Sequence, residues 1–193
     1  MTLKLLVDIS AARCLTTSTL PRQRLVTSGP SGFDDYARLR FLADPTREGQ
    51  SEVEAGPPSP AWDEQLSMVL TSLASCTRTP QQCYVCVWEG WGDASGAGLA
   101  VPMVEVPNRS YLLLQGAVGD VDDWGAATAT VGLDRAWEPA FVWPADQSWC
   151  LANDVDPHWA GIGASHLAMQ SLLADPRPDV VLADPDDEQR AYR

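Results

Sequence analysis

The sequence lacks any apolar stretch that approaches the ~20 residues needed to cross a lipid bilayer. Near its start, Asp8 interrupts an apolar run that is too short for the core of a signal peptide. The five cysteines are an odd number, and the chain is too long to depend on disulfides for its stability. We therefore expect a cytoplasmic protein with free thiols and no membrane association.

Groups suited to nucleophilic catalysis are scarce. The sequence has two histidines, His158 and His166, and no Gly-x-Ser-x-Gly nucleophile elbow. Cys150 lies close to His158 in sequence, but this proximity does not provide the contact that a nucleophile and its base require. We interpret Cys150 as a buried strand residue. These absences favour a protein without enzymatic activity.

Basic residues are outnumbered, with 13 Lys and Arg against 26 Asp and Glu and a net charge of -13. Residues 1–47 contain seven basic and four acidic residues, whereas residues 48–193 contain six basic and 22 acidic residues, a net charge of -16. Such a body repels phosphate backbones, so we expect no nucleic-acid partner. The charge favours solubility first and a basic protein partner second.

The composition is typical of a globular protein, with 45% apolar and 20% charged residues. A length of 193 residues predicts a single domain over residues 1–193 with a substantial core. Residues 45–60 are polar and contain glycines and prolines, which predicts a flexible loop or linker. Residues 184–193 are predicted to be an acidic tail.

Two helices are predicted from apolar periodicity. Residues 60–76 give the clearer pattern, an apolar stripe at i, i+3, i+4 and i+7 formed by Leu66, Val69, Leu70 and Leu73. Residues 165–174 form the second, with Ser165 as the N-cap. In this second helix, Leu167, Gln170 and Leu173 recur at helical spacing.

Strands are predicted mainly in the middle of the chain, near residues 83–89, 110–115 and 148–154. Residues 32–42 fit either a helix or a strand, and residues 16–31 are interpreted as a loop because they are rich in Thr, Ser, Pro and Gly. Central strands with helices before and after them predict an α+β fold with a mostly antiparallel sheet.

The densest acidic and imidazole run contains Asp154, Asp156 and His158. If a strand continued through His158, all three side chains would point to one face and could bind a divalent metal or act in acid–base catalysis. We favour another interpretation, in which Asp156-Pro157 begins a turn that ends the strand. A metal-assisted hydrolase is therefore an alternative hypothesis.

Two further motifs are weak. Cys83-x-x-Cys86 looks like half a zinc site, but two strand residues three apart face opposite sides, so we interpret both as buried thiols. Gly161-Ile-Gly163 precedes a helix as in a phosphate loop, but the third glycine and the lysine are missing. We interpret these glycines as a tight turn into the helix, and we expect no cofactor.

The eight tryptophans are the least generic feature of the composition. A tryptophan buries a large ring but needs a partner for its N–H group, and at strand ends it can line a protein interface. A core position is the other interpretation. The residues predicted to bind a partner are Trp91, Trp143, Trp149, Trp159 and Asp146.

Four segments resemble a family of actinobacterial conserved hypothetical proteins with no known activity: residues 32–38, 83–92, 107–116 and 141–163. The last is the most specific, through the run Trp-Pro-Ala-Asp-Gln-Ser-Trp-Cys and the Asp-Val-Asp step that follows it. The resemblance implies no activity and no site residues, and residues 43–61 depart from the family's pattern. The layout is also similar to α+β immunity domains that neutralise bacterial toxins, which is an analogy at the level of the fold.

These observations predict a non-enzymatic protein-binding domain, in a toxin-immunity or regulatory setting, with a basic protein partner. This hypothesis requires an exposed apolar patch beside acidic residues. The alternatives are a metal-assisted hydrolase, which requires Asp154, Asp156 and His158 to converge in a pocket, and a structural subunit of a homo-oligomer. The sequence leaves the oligomeric state open.

Overall fold

A computed structural model of the chain describes residues 3–91, 101–123, 138–155 and 157–193. The described strands form one nine-stranded sheet in which every pairing is antiparallel, and four α-helices pack around it. The predicted α+β fold with a mostly antiparallel sheet is therefore confirmed.

The strands and helices are short. The strands are β1 (Lys4–Leu5), β2 (Asp35–Arg40), β3 (Cys83–Trp88), β4 (Val104–Val106), β5 (Arg109–Gly116), β6 (Pro139–Pro144), β7 (Trp149–Ala152), β8 (Trp159–Ala164) and β9 (Val180–Leu182). The helices are α1 (Arg13–Thr16), α2 (Arg22–Ser28), α3 (Trp62–Ala74) and α4 (His166–Ala174).

The strand order is β1-β5-β3-β6-β7-β8-β2-β9, and β4 also pairs with β5. The centre of the sheet is apolar on both faces, and every residue of β6 is buried. A strand covered on both sides has no solvated face, which explains why β3, β5 and β6 are near-continuous apolar runs instead of alternating ones.

Helices cover both faces of the sheet, and each face has its own apolar cluster. On β5 the neighbours Leu113 and Leu114 belong to different clusters, because successive strand residues point to opposite faces. The cluster with Leu114 includes apolar residues of α3 and α4, and the cluster with Leu113 includes apolar residues of α1 and α2. The sheet is thus the middle of three layers.

The predicted central elements are confirmed. The helices expected over residues 60–76 and 165–174 are α3 and α4, and the Ser165 hydroxyl accepts a hydrogen bond from the Ala168 amide at 3.4 Å, as an N-cap does. The three central predicted strands are β3, β5 and β7, and residues 32–42 contain a strand, β2. Among the described residues, no helix is both long enough and apolar enough to cross a membrane.

Two predictions were wrong. Residues 16–31 are not all loop, because they contain α2, whose Leu25 and Val26 are buried against the sheet. Gly161 and Gly163 do not form a turn but lie within β8. The single domain, the flexible loop over residues 45–60 and the acidic tail stay predictions.

The glycines of β8 permit close packing. A Cβ atom on Gly161 would overlap the carbonyl oxygen of Thr27 in α2, and one on Gly163 would overlap the ring of Phe33. Neither glycine has a positive φ, so the requirement is for space and not for a special backbone conformation. These glycines therefore let α2 and the segment after it lie directly on the sheet.

We expect Gly161→Ala to lower the free energy of unfolding by about 1–3 kcal/mol, the usual cost of overpacking a well-filled core. Gly119→Ala is the matched control, because a Cβ atom there meets nothing within 4 Å. Urea unfolding of the two variants and the wild type measures the difference. Equal stabilities of the two variants would contradict close packing at Gly161.

Candidate functional site

Two polar clusters lie at one end of the sheet, where β2, β3 and β7 end and β5, β6 and β8 begin. The strand register places these ends together, since Arg40 is opposite Trp159, Ala152 is opposite Gly161 and Trp88 is opposite Tyr111. A sheet buried on both faces can place its charged groups only at such ends or on its periphery. This end is therefore where a site is expected.

The first cluster is centred on Asp44, in the segment after β2. Arg38 donates two hydrogen bonds to the Asp44 carboxylate, at 2.8 and 2.9 Å, and Arg40 donates a third at 3.0 Å. The Nε2 atom of His158 lies 3.3 Å from the same carboxylate. Arg40 also binds Asp179, which precedes β9, at 2.8 Å. The cluster thus joins β2, β8 and β9.

The charges in this cluster shift two pKa values. Burial alone would raise the pKa of Asp44, but hydrogen bonds and charges from Arg38 and Arg40 outweigh it and hold that pKa far below its usual value. Burial lowers the pKa of His158, and the neighbouring Asp44 carboxylate offsets only part of the shift. At neutral pH the cluster consists of an ionised carboxylate, two guanidinium groups and a neutral imidazole.

The groups around Asp44 are already engaged. The Arg38 guanidinium lies 5.4 Å above the ring of Trp159, and Tyr192 packs edge-on against His158 at 4.7 Å between ring centroids. The Tyr192 hydroxyl donates to the Ala43 carbonyl at 2.6 Å. Because the carboxylate already accepts three hydrogen bonds, it is poorly placed to act as a general base. The cluster holds the segment after β2 against β8.

The second cluster is a buried ion pair. Arg109 at the start of β5 binds Asp154, just beyond β7, at 2.9 Å, and their side chains are 9% and 5% exposed. The Arg109 guanidinium also lies 4.1 Å above the ring of Trp88 at the end of β3. Asp154 therefore neutralises a buried cation and links β7 to β5.

The residues of the predicted metal site take different partners. Asp154 binds Arg109, whereas His158 faces Asp44, and Asp156 lies outside the described residues. Among the residues that the structure describes, no group of three or more His, Cys, Asp or Glu side chains could hold a metal ion. The metal-assisted hydrolase stays a prediction, and no contact among the described residues supports it.

The tryptophans predicted to bind a partner mostly lie inside the protein. Trp143, Trp149 and Trp159 are buried, and Trp143 packs against Tyr84 at 5.7 Å between ring centroids. The indole N–H groups of Trp143 and Trp149 have no hydrogen-bond partner in the described part of the chain. The side chain of Trp91 lies outside that part. Their binding role stays a prediction, and three of the four rings present no surface to a partner.

Asp146 has local partners. Its carboxylate accepts hydrogen bonds from the Thr77 hydroxyl and the Arg78 amide, both at 2.8 Å, and from the Ser148 amide at 3.2 Å. These bonds tie the turn between β6 and β7 to the segment that follows α3. The arrangement accounts for Asp146 structurally, and its predicted role in binding is still a prediction.

All five cysteines are free thiols. Cys83, Cys86 and Cys150 are buried, which confirms that they are core residues. Burial raises the pKa of Cys83 to about 12 and that of Cys150 well above its usual value, so neither forms the reactive thiolate at neutral pH. Cys150 is therefore not an activated nucleophile.

Three exposed leucines lie on α4 and β9, two elements that pack against each other. Leu167 and Leu173 of α4 are 77% and 40% exposed, and Leu182 of β9 is 61% exposed. We call these three residues the α4–β9 face. The buried side of α4 is formed by Ala168, Met169 and Leu172, so the stripe of Leu167, Gln170 and Leu173 that recurs at helical spacing faces solvent.

Sequence reasoning missed Arg38, Arg40 and Asp44. The available signal was that Arg38 and Arg40 are two residues apart, so that on a strand they share one face, with an acidic residue close behind. That signal depended on assigning residues 32–42 to a strand, which their periodicity did not decide. The partners of His158 and Asp154 are distant in sequence and left no local pattern.

Comparison of the chain with protein-family models, with curated proteins and with solved structures finds no match. No residue therefore takes a role from a relative, and the contacts described above are the basis for function.

We expect Asp44→Asn to lower the free energy of unfolding by about 3 kcal/mol, because it leaves the buried Arg38 guanidinium without its counter-ion. Glu54→Gln is the matched control: it removes the carboxylate of the exposed Arg47–Glu54 pair, and an exposed pair contributes little to stability. Chemical denaturation of both variants tests this. A loss at Asp44 no larger than that at Glu54 would mean that the cluster is not a stabilising network.

We also expect acid to destabilise the protein through His158. Because its pKa is lowered in the folded state, the unfolded chain binds the proton more readily once the pH falls below about 6.5. Stability is therefore full above that pH and declines as the pH falls toward the lowered pKa. His158→Gln should reduce this decline, as measured by urea unfolding between about pH 7.5 and pH 5.5. An unchanged slope would exclude His158 as the source.

Proposed function

We propose that this chain is a non-enzymatic protein-binding domain that uses the α4–β9 face to bind a basic segment of another protein. The observation on which this rests is the set of three exposed leucines on a helix and an adjoining strand, beside a run of carboxylates. An exposed apolar patch next to acidic residues is the surface that the protein-binding hypothesis requires.

The apolar part of this surface is supported by secondary structure. Leu167 and Leu173 lie on α4, which packs against β2, β9 and α3, and Leu182 lies in β9. The backbone of these packed elements is already ordered, so a partner that covers the leucines orders only their side chains, and each leucine can serve as an apolar anchor. β9 is the last strand in the sheet order, so its outer edge pairs with no further strand among the described residues.

The charged part of the surface follows β9 directly. Asp184 and Asp187 are exposed and form no ion pair with any described residue. Asp186 lies 3.5 Å from Arg24, but its side chain is 86% exposed, so this pair is weak. The carboxylates therefore leave a negative potential beside the leucines, which attracts Lys and Arg side chains.

The polar clusters at the sheet end support a binding role over a catalytic one. The Asp44 carboxylate accepts hydrogen bonds from two arginines, and Asp154 is paired with Arg109. The buried thiol of Cys150 has a raised pKa. Each of these groups is paired with another side chain or buried in the core in the arrangement observed. A toxin-immunity or regulatory role would suit a domain whose stable core supports an acidic and apolar surface.

Selection from a random peptide display library tests the proposal, with the purified wild-type protein as bait. We expect the selected peptides to combine Lys or Arg with a large apolar residue, and their binding to weaken as salt increases. A variant with Leu167→Ser and Leu182→Ser should bind those peptides about 10-fold or more weakly, because it removes two apolar anchors.

Val7→Ser is the matched control, because Val7 is 70% exposed and follows β1, at the opposite end of the sheet order from β9. It should keep the wild-type affinity. The proposal fails if the selected peptides are not basic, or if the double leucine variant binds them as tightly as the control does.

A further inference from the structure

A cleft of about 600 Å³ lies between residues 45–49 and residues 188–193. Its volume is within the range of small-molecule sites in proteins. We call it the charged cleft, because five of its lining residues are Arg47, Glu48, Glu188, Arg190 and Arg193. None of these residues belongs to the α4–β9 face or to the two polar clusters at the sheet end, so the cleft is a separate feature.

Hydrogen bonds hold the two walls of the cleft together. The Arg193 amide donates to the Gln50 carbonyl at 3.0 Å, and the Tyr192 hydroxyl donates to the Ala43 carbonyl at 2.6 Å. Within the first wall, the Gln50 side chain accepts hydrogen bonds from both the amide and the hydroxyl of Thr46, at 2.9 and 3.1 Å. These bonds join the two walls of the cleft to each other and order the first wall internally.

The cationic groups of the cleft differ in their engagement. Arg47 is paired with Glu54 at 2.6 Å. Arg190 and Arg193 form no ion pair with any described residue, although Arg190 donates a long hydrogen bond of 3.4 Å to the Pro45 carbonyl. In a chain whose acidic residues outnumber its basic ones two to one, two guanidinium groups that line one cleft and pair with no described carboxylate side chain are available to bind an anion.

The two carboxylates of the cleft also lack ion-pair partners among the described residues. Glu48 on one wall and Glu188 on the other form no ion pair and accept no side-chain hydrogen bond within the described part of the chain. A simple anion would be attracted by the arginines but repelled by these carboxylates. A simple cation would be attracted by the carboxylates but repelled by the arginines. A molecule with groups of both signs pairs with lining residues of both signs.

We propose that the charged cleft binds an amphoteric small molecule, with a carboxylate or phosphate group held by Arg190 and Arg193 and an ammonium group held by Glu48 and Glu188. The proposal does not depend on the protein-binding function above. A volume of about 600 Å³ accommodates a ligand of the size of a short peptide or a phosphorylated amine.

Calorimetric titration of the full chain with four probes tests this. Triglycine supplies a carboxylate and an ammonium group, and phosphoethanolamine supplies a phosphate and an ammonium group, so together they distinguish the two anion sources. Inorganic phosphate and butylamine each supply one sign of charge. We expect at least one amphoteric probe to bind about 10-fold more tightly than either single-charge probe.

Two double variants assign the roles of the charges. Arg190→Gln with Arg193→Gln should weaken the amphoteric probe about 10-fold, while Glu48→Gln with Glu188→Gln should weaken it and strengthen inorganic phosphate. Arg78→Gln is the control, because the Arg78 side chain is exposed and lies outside the cleft. It should change neither affinity.

Amide chemical-shift mapping of the wild type gives a readout that does not depend on how the variants fold. Saturable shifts in residues 45–49 and 188–193 on addition of an amphoteric probe would support the proposal. Absence of saturable binding by both amphoteric probes, shifts confined to other residues, or tighter binding of inorganic phosphate than of either amphoteric probe by the wild type would overturn it.

Discussion

Burial of the sheet on both faces is the constraint on which the rest of the structure depends. Apolar side chains alternate between two clusters, one beneath α3 and α4 and the other beneath α1 and α2. Burying this much apolar surface is the main source of folding free energy, and it excludes unpaired charge from both faces. Trp143 and Cys150 are therefore buried among the residues of the core. Charged groups therefore lie at the strand ends and at the outer edges of the sheet.

Charges placed at a strand end close to this core must be paired, because an unpaired buried charge is costly. Asp44 with Arg38, and Asp154 with Arg109, meet this requirement. The same pairing removes them as free acids or bases. Exposed apolar groups and charged groups without ion-pair partners among the described residues lie at the periphery instead, on the α4–β9 face and in the charged cleft.

The sequence predicted the elements whose pattern is local. Residues 60–76 follow a helical apolar stripe, and residues 83–89 are a continuous apolar run, so both could be assigned. The helix α2 and the strand β8 could not, because their composition resembles that of loops and their conformation depends on a contact between them at Gly161. The cluster around Asp44 was missed for another reason: Arg38 and Arg40 are close to Asp44 in sequence, but they share a face only if residues 32–42 form a strand, which their periodicity did not decide. Periodicity indicates which face is buried, but it does not identify what covers that face.

The fold places part of the basic early segment of the chain beside the acidic later segment. Basic residues outnumber acidic ones in residues 1–47, and some of them pair with acidic residues later in the chain. Arg40 binds Asp179, and Arg24 lies beside Asp186. The shorter of these pairs, Arg40–Asp179, joins the residue before β9 to β2, and the Arg24–Asp186 pair, whose carboxylate is exposed, adds little. These pairs do not neutralise the later segment, because acids there greatly outnumber the available bases. The negative potential next to Leu182 is thus what remains after the internal pairs have formed. A partner with Lys or Arg side chains would supply the positive charge that this segment lacks.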